Sequence, residues 1–302
     1  MITNSDKILT IGTYDGVHVG HQKILKRVVS LAEKHGLTPS VLTLFPHPRM
    51  VLQKDKTIKL LNTIDERVEL LKKSGITDVI IKKFDLDFAN LDAKAYVKKI
   101  LVDELNTKFI VIGYDHHFGK NRSANIIDLK NFADKYNFKI EEILAQDIKD
   151  VTVSSTKIRH ALKEGIITKA NTFLGYHYYI TGEVIKGRGI GRTLDFPTAN
   201  VYIKEHYKLI PKDGVYVVQT KIEDTLYFGM MNIGTNPTVD GKTKSLEVHL
   251  FNFNKTIYGS FLKIEFLKRL RSEQKFENLE ALKSQLKKDA IEALDFINRI
   301  ND

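Results

Sequence analysis

The period of the hydrophobic pattern changes once along this chain, near residue 175, and that change restricts the architectures open to it. Before it, β-rich runs at 8–13, 39–45, 78–81, 109–112 and 138–143 are separated by helical patterns at about 20–35, 64–73, 93–105 and 129–136. Such alternation predicts βαβ units and an α/β fold with a doubly wound parallel sheet, whose ligands bind beyond the carboxyl ends of the strands. A helical segment at 155–163 follows. Strands at 178–185, 215–221, 226–232, 246–251 and 261–267 then succeed one another without helices, punctuated by glycine and proline. That texture predicts an antiparallel β-barrel or sandwich. Leu279, Leu282, Leu286, Ala290 and Leu294 have the spacing of a terminal helix that packs one face on it. Two domains are expected, 1–174 and 175–302.

Composition narrows the function classes. The 302 residues, 42% of them hydrophobic, suffice for two cores. No run approaches the roughly 20 apolar residues of a membrane span, and the first 12 residues lack the layout of a secretory signal, so a cytoplasmic protein without membrane partners is expected. Zero cysteines exclude disulfides and thiolate chemistry, which leaves oxygen or imidazole for any metal. A net charge of +10 suits either a nucleic-acid binder or an enzyme with phosphorylated substrates. The lysines are interleaved with acids, as in 65–73, which reads as a solvated helix face.

Two stretches carry candidate phosphate chemistry in the first half. Gly12-Thr13-Tyr14-Asp15-Gly16-Val17-His18-Val19-Gly20-His21 lies where the first strand passes into the first helix. Glycines let the backbone approach an anion there, and the N–H groups of a helix start attract it. His18 and His21, three apart, share a face once the helix has begun. Neither Gly-x-x-x-x-Gly-Lys-Ser/Thr nor Gly-x-Gly-x-x-Gly is present. Further on, Ser154-Ser155-Thr156-Lys157-Ile158-Arg159 places two cations at a helix start. The dipole disfavours them there unless an anion is near.

With these residues in view, the first half resembles the nucleotidyltransferase superfamily. Gly-x-Tyr-Asp-Gly-x-His-x-Gly-His, together with Pro46-His47-Pro48 after the second strand, is similar to its prokaryotic FAD synthetase branch. In the second half, Gly182 to Arg192, with Gly187 and Gly191, precedes Phe196-Pro197-Thr198-Ala199-Asn200 and resembles the riboflavin kinase signature. The likeness continues through 214–216, 232–238, 246–249 and 269–271. Together they resemble the bifunctional riboflavin kinase/FMN adenylyltransferase family. The resemblance implies a Rossmann-like nucleotidyltransferase domain followed by a riboflavin kinase barrel, with ATP, riboflavin and FMN as small-molecule substrates, FMN and FAD as products, and Mg²⁺ as cofactor.

The resemblance also implies roles. In the first domain, Gly12, Tyr14, Asp15, Gly16, His18, His21, Ser155, Thr156 and Arg159 bind ATP, with His18, His21 and Arg159 catalytic, and Pro46, His47, Pro48 and Asp115 meet the flavin. In the second, Gly182, Gly187, Gly191, Arg192, Thr198 and Asn200 bind ATP. Thr198 and Asn200 offer hard oxygens to Mg²⁺, Glu247 is the base, and Glu247 and Arg271 meet the flavin. His249 has no assigned role. By alternation alone, Glu247 reads as an exposed strand carboxylate.

Departures from the family pattern fall on the expected flavin-side loop at 113–124. His116 replaces an aromatic residue, and Asn121 and Ala124 stand where glycines are usual. Thr152 stands where many members carry a basic residue. A weakened flavin specificity of the first domain is the expectation, and a kinase with an altered first domain is the alternative. A flavin- or RNA-binding regulator is the third reading, against which stand the metal ligands, the base and the lack of an aromatic-basic RNA motif. No nucleic-acid partner is expected, and homo-oligomerisation is left open.

Overall fold

The computed structural model describes residues 5–54, 57–113, 116–143, 153–187, 191, 194–238 and 241–301, with backbone alone at 236–238 and 241–243. The chain divides into two compact units, Met1–Ser155 and Thr156–Asp302.

The first unit holds five parallel strands: β1 (Lys7–Gly12), β2 (Thr38–Phe45), β3 (Asp78–Lys83), β4 (Thr107–Gly113) and β5 (Lys139–Ile143), in the order β3-β2-β1-β4-β5. β1 pairs with β2 on one side and β4 on the other, so the winding reverses beside it. The carboxyl end of β1 therefore opens on the crevice where such sheets bind ligands. Helix α1 (Val19–His35) follows β1, buries Leu25, Val28, Leu31 and Ala32, and stops at Gly36, whose φ of 66° forms a left-handed cap. Three further helices are α2 (Pro48–Leu52), α3 (Ile64–Lys73) and α4 (Leu86–Ala89). α5 (Ala93–Ala95) runs into the π-wound segment Tyr96–Glu104, which buries Tyr96, Val97, Ile100 and Leu101, and α6 (Ile126–Tyr136) completes the unit.

The reading of 65–73 as a solvated face is corrected by α3. Glu66 closes a capping box with Thr63, and Arg67 is fully buried. The capping box uses the Glu66 carboxylate at the helix start, while Arg67 reaches inward to the end of β2.

α7 (Ser155–Glu164) and α8 (Ile167–Leu174) lead into the barrel. The Leu162 carbonyl accepts from the Lys212 amide at 3.0 Å, and Asn171 donates to the Phe266 carbonyl at 2.8 Å. The barrel itself closes through β6 (Tyr179–Ile185), β7 (Ala199–Tyr202), β8 (Gly214–Ile222), β9 (Thr225–Thr238), β10 (Gly241–Leu250) and β11 (Phe261–Arg271), in the order β10-β7-β6-β11-β8-β9. Five of these strands lie where hydrophobic alternation put them. β7 does not, because four residues are too few to establish a period. It joins β6 to β10, and closure removes both sheet edges.

Helix α9 (Leu279–Asn301) packs on the outer barrel face, with Ala293 and Ile297 against Val215, Val217, Met230 and Leu267. The expected apolar stripe is corrected in part. Asp289 is buried, whereas Leu279 and Leu294 are 55% and 42% exposed. Arg271 explains Asp289: it donates to the carboxylate through Nε at 2.9 Å and Nη2 at 2.7 Å.

Candidate active sites

At the end of β1 the chain makes a tight loop. Tyr14 and Val17 have φ of 47° and 34°, and Gly16 has 90°. Left-handed backbone at two residues other than glycine needs support, and the side chains supply it. Tyr14 is buried, packs under Gly12 and shares a 2.7 Å hydrogen bond with Thr10, and burial pushes its phenol pKa upward. The Asp15 carboxylate accepts from the Leu61 amide at 2.9 Å, and the Gly16 amide donates to the Asn62 side chain at 2.8 Å. Tyr14 and Asp15 thus shape the loop from inside. Ser155 donates to the Asp15 carbonyl at 2.8 Å.

His18 caps α1: its Nδ1 accepts from the His21 amide at 3.4 Å. The two imidazoles stack at 3.7 Å between centroids, and Tyr14 lies 4.9 Å from His21 on a tilted plane. Burial, then the charges of His18 and Arg67, hold the pKa of His21 well below the ordinary imidazole value. His21 is therefore neutral in the ligand-free protein at neutral pH. Arg67 was missed in the sequence. Its Nη1 donates to Thr43 Oγ1 at 3.2 Å and to the Leu44 carbonyl at 3.4 Å, and Thr43 donates in turn to the Thr13 carbonyl. A buried cation thereby ties the ends of β1 and β2 together beneath the histidines.

Beside this loop lies a largely apolar cleft of about 340 Å³, bordered by Gly12, Thr13, Pro48, Phe88, His116 and Phe118 among others. Its size suits a small-molecule site. His47 caps α2, accepting from the Arg49 amide at 3.2 Å, and the peptide joining Phe45 to Pro46 is cis. Asn121 has φ 55° and ψ 25°. Asparagine tolerates that left-handed geometry better than other side-chain-bearing residues, so it keeps the path a glycine would take. Ala124 pairs with Phe118 in an antiparallel bridge, and His116 stacks with Phe118 at 6.0 Å. Thr156 and Arg159 fall in the second unit, where Arg159 donates to Thr156 at 3.3 Å. Asp115, Thr152, Arg188 and Arg192 lie outside the described residues.

In the barrel, one row of side chains crosses three strands. Glu247 of β10 is paired with Asn200 of β7 on one side and Asn232 of β9 on the other, and direct partners share a face. Glu247 Oε1 accepts from Ser245 at 2.8 Å, and Oε2 accepts from Thr198 at 3.4 Å. Two clefts flank this row. One, about 310 Å³, is bordered by Thr198, Asn232, Glu247 and His249 and roofed by Phe276, Leu282 and Leu286. The other, about 320 Å³, is bordered by Thr198, Val248, Leu250, Phe253 and Tyr258. Alternation along β10 sends Glu247 and His249 to the first and Val248 and Leu250 to the second. Thr198 borders both.

The glycines make this close approach feasible. A Cβ at Gly187 would overlap the Asn200 amide, one at Gly191 would overlap the Phe196 carbonyl, and one at Gly182 would lie 2.6 Å from the Tyr202 carbonyl. Arg271 borders the first cleft, but Asp289 engages its guanidinium. Removing one partner of a buried pair costs about 3–5 kcal/mol, so Arg271 anchors α9 whatever else it contacts. The cleft's roof from α9 and Phe276 was not among the sequence candidates.

Comparison with known proteins returns the same two halves. A family model for FAD synthetase matches residues 2–157 and one for riboflavin kinase matches residues 174–297. The bifunctional riboflavin kinase/FMN adenylyltransferase of Listeria monocytogenes is 36% identical over 99% of this chain and 95% of its own, and that of Bacillus subtilis is 37% identical over 97% and 93%. The Escherichia coli protein of that name is 34% identical over 96% of this chain and 92% of its own. A crystal structure from Streptococcus pneumoniae, described as a macrolide-efflux protein, is 32% identical with a TM-score of 0.86, covering 95% of this chain and 93% of that one. Among the described residues no helix is long and apolar enough to cross a membrane.

Proposed function

Because this chain belongs to the bifunctional riboflavin kinase/FMN adenylyltransferase family, we propose that residues 1–174 adenylylate FMN and residues 175–302 phosphorylate riboflavin. The observation that carries the kinase assignment is Thr198, which borders two clefts on opposite sides of β10 and touches Glu247. The cleft containing Glu247 takes the flavin, the other takes the nucleotide, and the phosphoryl group passes at Thr198.

The ribityl hydroxyl is neutral, so its attack on the γ-phosphorus requires a proton acceptor as the O–P bond forms and the bond to the ADP oxygen breaks. Glu247 is that acceptor, oriented by Ser245 and Thr198. Among the described residues no three His, Cys, Asp or Glu side chains gather as metal ligands. The oxygens of Thr198 and Asn200 suit instead a Mg²⁺ ion that arrives with phosphates and keeps several waters. When bound, the ion neutralises charge on the transferring phosphate. Replacing Gly187 by alanine should push the Asn200 amide aside, since the overlap is with a flexible side chain. A Mg²⁺ titration of FMN formation should then shift to higher concentration while FAD formation keeps its wild-type Mg²⁺ dependence.

In adenylyl transfer, a phosphate oxygen of FMN attacks the α-phosphorus of ATP and pyrophosphate leaves. A phosphate is already ionised near neutral pH, so no strong base is needed, and positioning with charge stabilisation carries the rate. His18, His21, Ser155, Thr156 and Arg159 supply it, Gly12 and Gly16 let the phosphates approach, and the apolar cleft beside Pro48 takes the flavin ring. The assay for both reactions is a chromatographic time course with ATP, Mg²⁺ and either riboflavin or FMN. FMN followed by FAD is expected. FMN accumulating from riboflavin, with supplied FMN unconverted, would remove the adenylyltransferase assignment and leave the kinase.

A further inference from the structure

We propose that His249 is a positioning residue for riboflavin phosphorylation: its Nδ1–H holds the Pro197 carbonyl and thereby fixes Thr198 against Glu247. The inference rests on the reading of Glu247 as the base. His249 Nδ1 lies 2.9 Å from the Pro197 carbonyl oxygen. A carbonyl only accepts, so the ring nitrogen must carry the proton. The imidazole is also gripped edge-to-face by Phe196 at 5.2 Å and Phe251 at 5.6 Å. It is thus held by both neighbouring segments and has one orientation in which the hydrogen bond forms.

What it holds is the approach to β7. The pairing of Glu247 with Asn200 and Val248 with Ala199 anchors the segment only from Ala199 onward. Thr198 precedes the strand and has no ladder partner in that register. Among the described residues, Thr198 approaches Glu247 at 3.4 Å, and His249 places a tether on the residue before it. His249 and Glu247 stand two apart on β10 and face the same cleft, so one strand positions both the base and the residue that borders the two clefts. Loss of the tether leaves the flavin cleft in place but lets Thr198 drift from Glu247. A misplacement of about 1 Å can cost about 100-fold in rate.

Two substitutions separate the hydrogen bond from the packing. His249→Phe keeps an aromatic ring between Phe196 and Phe251 and removes the donor. His249→Asn gives up the ring but keeps an N–H near the Nδ1 position. The Phe variant should lose about 10- to 100-fold in kcat for FMN formation, with the KM for riboflavin changed less than about threefold, and Asn should restore kcat to within about fivefold of wild type. FAD formation from FMN, measured on the same samples, should not change. A Phe variant within about twofold of wild-type kcat, an Asn variant as impaired as Phe, or a loss confined to KM would each overturn the proposal. The unsubstituted protein provides an arm that folding cannot confound. Nitrogen-15 chemical shifts of His249 should show Nδ1 protonated in the ligand-free protein, and a neutral ring protonated on Nε2 would overturn the tether. Retained kinase activity in Glu247→Gln would instead sink the reading of the base and leave these shifts unaffected.

Discussion

Replacing Glu247 by glutamine should slow FMN formation by about 10²- to 10⁴-fold, the usual contribution of a positioned general base, and leave FAD formation from supplied FMN at the wild-type rate. Glutamine keeps the volume of the side chain and one carbonyl oxygen, which can accept from one of the two hydroxyls of Ser245 and Thr198, while the other can turn to accept from the new amide. What it loses is the capacity to take a proton from a neutral hydroxyl. The KM for riboflavin should therefore change little while kcat falls, the signature of an interaction realised in the transition state. The second activity is an internal control for concentration and for folding of the first unit. Equal loss of both activities would defeat the assignment of two separate sites. A fall below threefold in kcat would make Glu247 a wall of the cleft and send the search for a base to the other carboxylate that borders it, Glu273.

Strand alternation made the facing of β10 legible, while the role given to Glu247 came from the family resemblance. Leu246, Val248 and Leu250 are buried, as a period of two requires, which leaves Glu247 and His249 on the other face. The loop after β1 was legible as a glycine-bearing turn from strand to helix, and the structure adds that His18 caps α1. Arg67 was not legible. Flanked by Asp65, Glu66 and Glu69 in an amphipathic stretch, it looks like any surface cation, and only the position of α3 against β2 shows that its guanidinium reaches Thr43. β7 was hidden by its length, and its residues had already been read as a ligand motif. In α9, Ala293 and Leu294 are neighbours about 100° apart around the helix, so a list of leucines could not settle which edge is covered. The burial of Asp289 depends on Arg271 eighteen residues earlier, a pairing that local periodicity does not contain. Asn121 shows the converse: a departure from a glycine-rich pattern that costs little, because the backbone angle there is one asparagine adopts.

The opposite separation is expected from His21→Ala: FAD formation should fall by about 10²- to 10³-fold, as when one preorganised donor to a developing charge is removed, while FMN formation is unaffected. His21 is not a surface cation that any lysine could replace. It is stacked on His18, bordered by Tyr14 and depressed in pKa by burial, His18 and Arg67, so on the proposed assignment it would meet the triphosphate as a neutral donor whose orientation is fixed before binding. The same depression has a consequence for stability that needs no substrate. Above the ordinary imidazole value of 6.5 both the folded and unfolded states hold His21 neutral, and there is no penalty. As the pH falls below it, the unfolded chain takes up the proton first, so the folded first unit loses stability progressively until the depressed native value is reached. Urea unfolding of the wild type should accordingly show a lower midpoint at pH 5.5 than at pH 8, and the His21→Ala variant should show a shallower decline. If the variant keeps full FAD formation and the wild-type slope with pH, then His21 is neither a donor to the phosphates nor a strained neutral group. Loss of FAD formation with an unchanged slope would keep its contact with ATP but remove the electrostatic cause, and Arg67 would no longer be needed to explain the site.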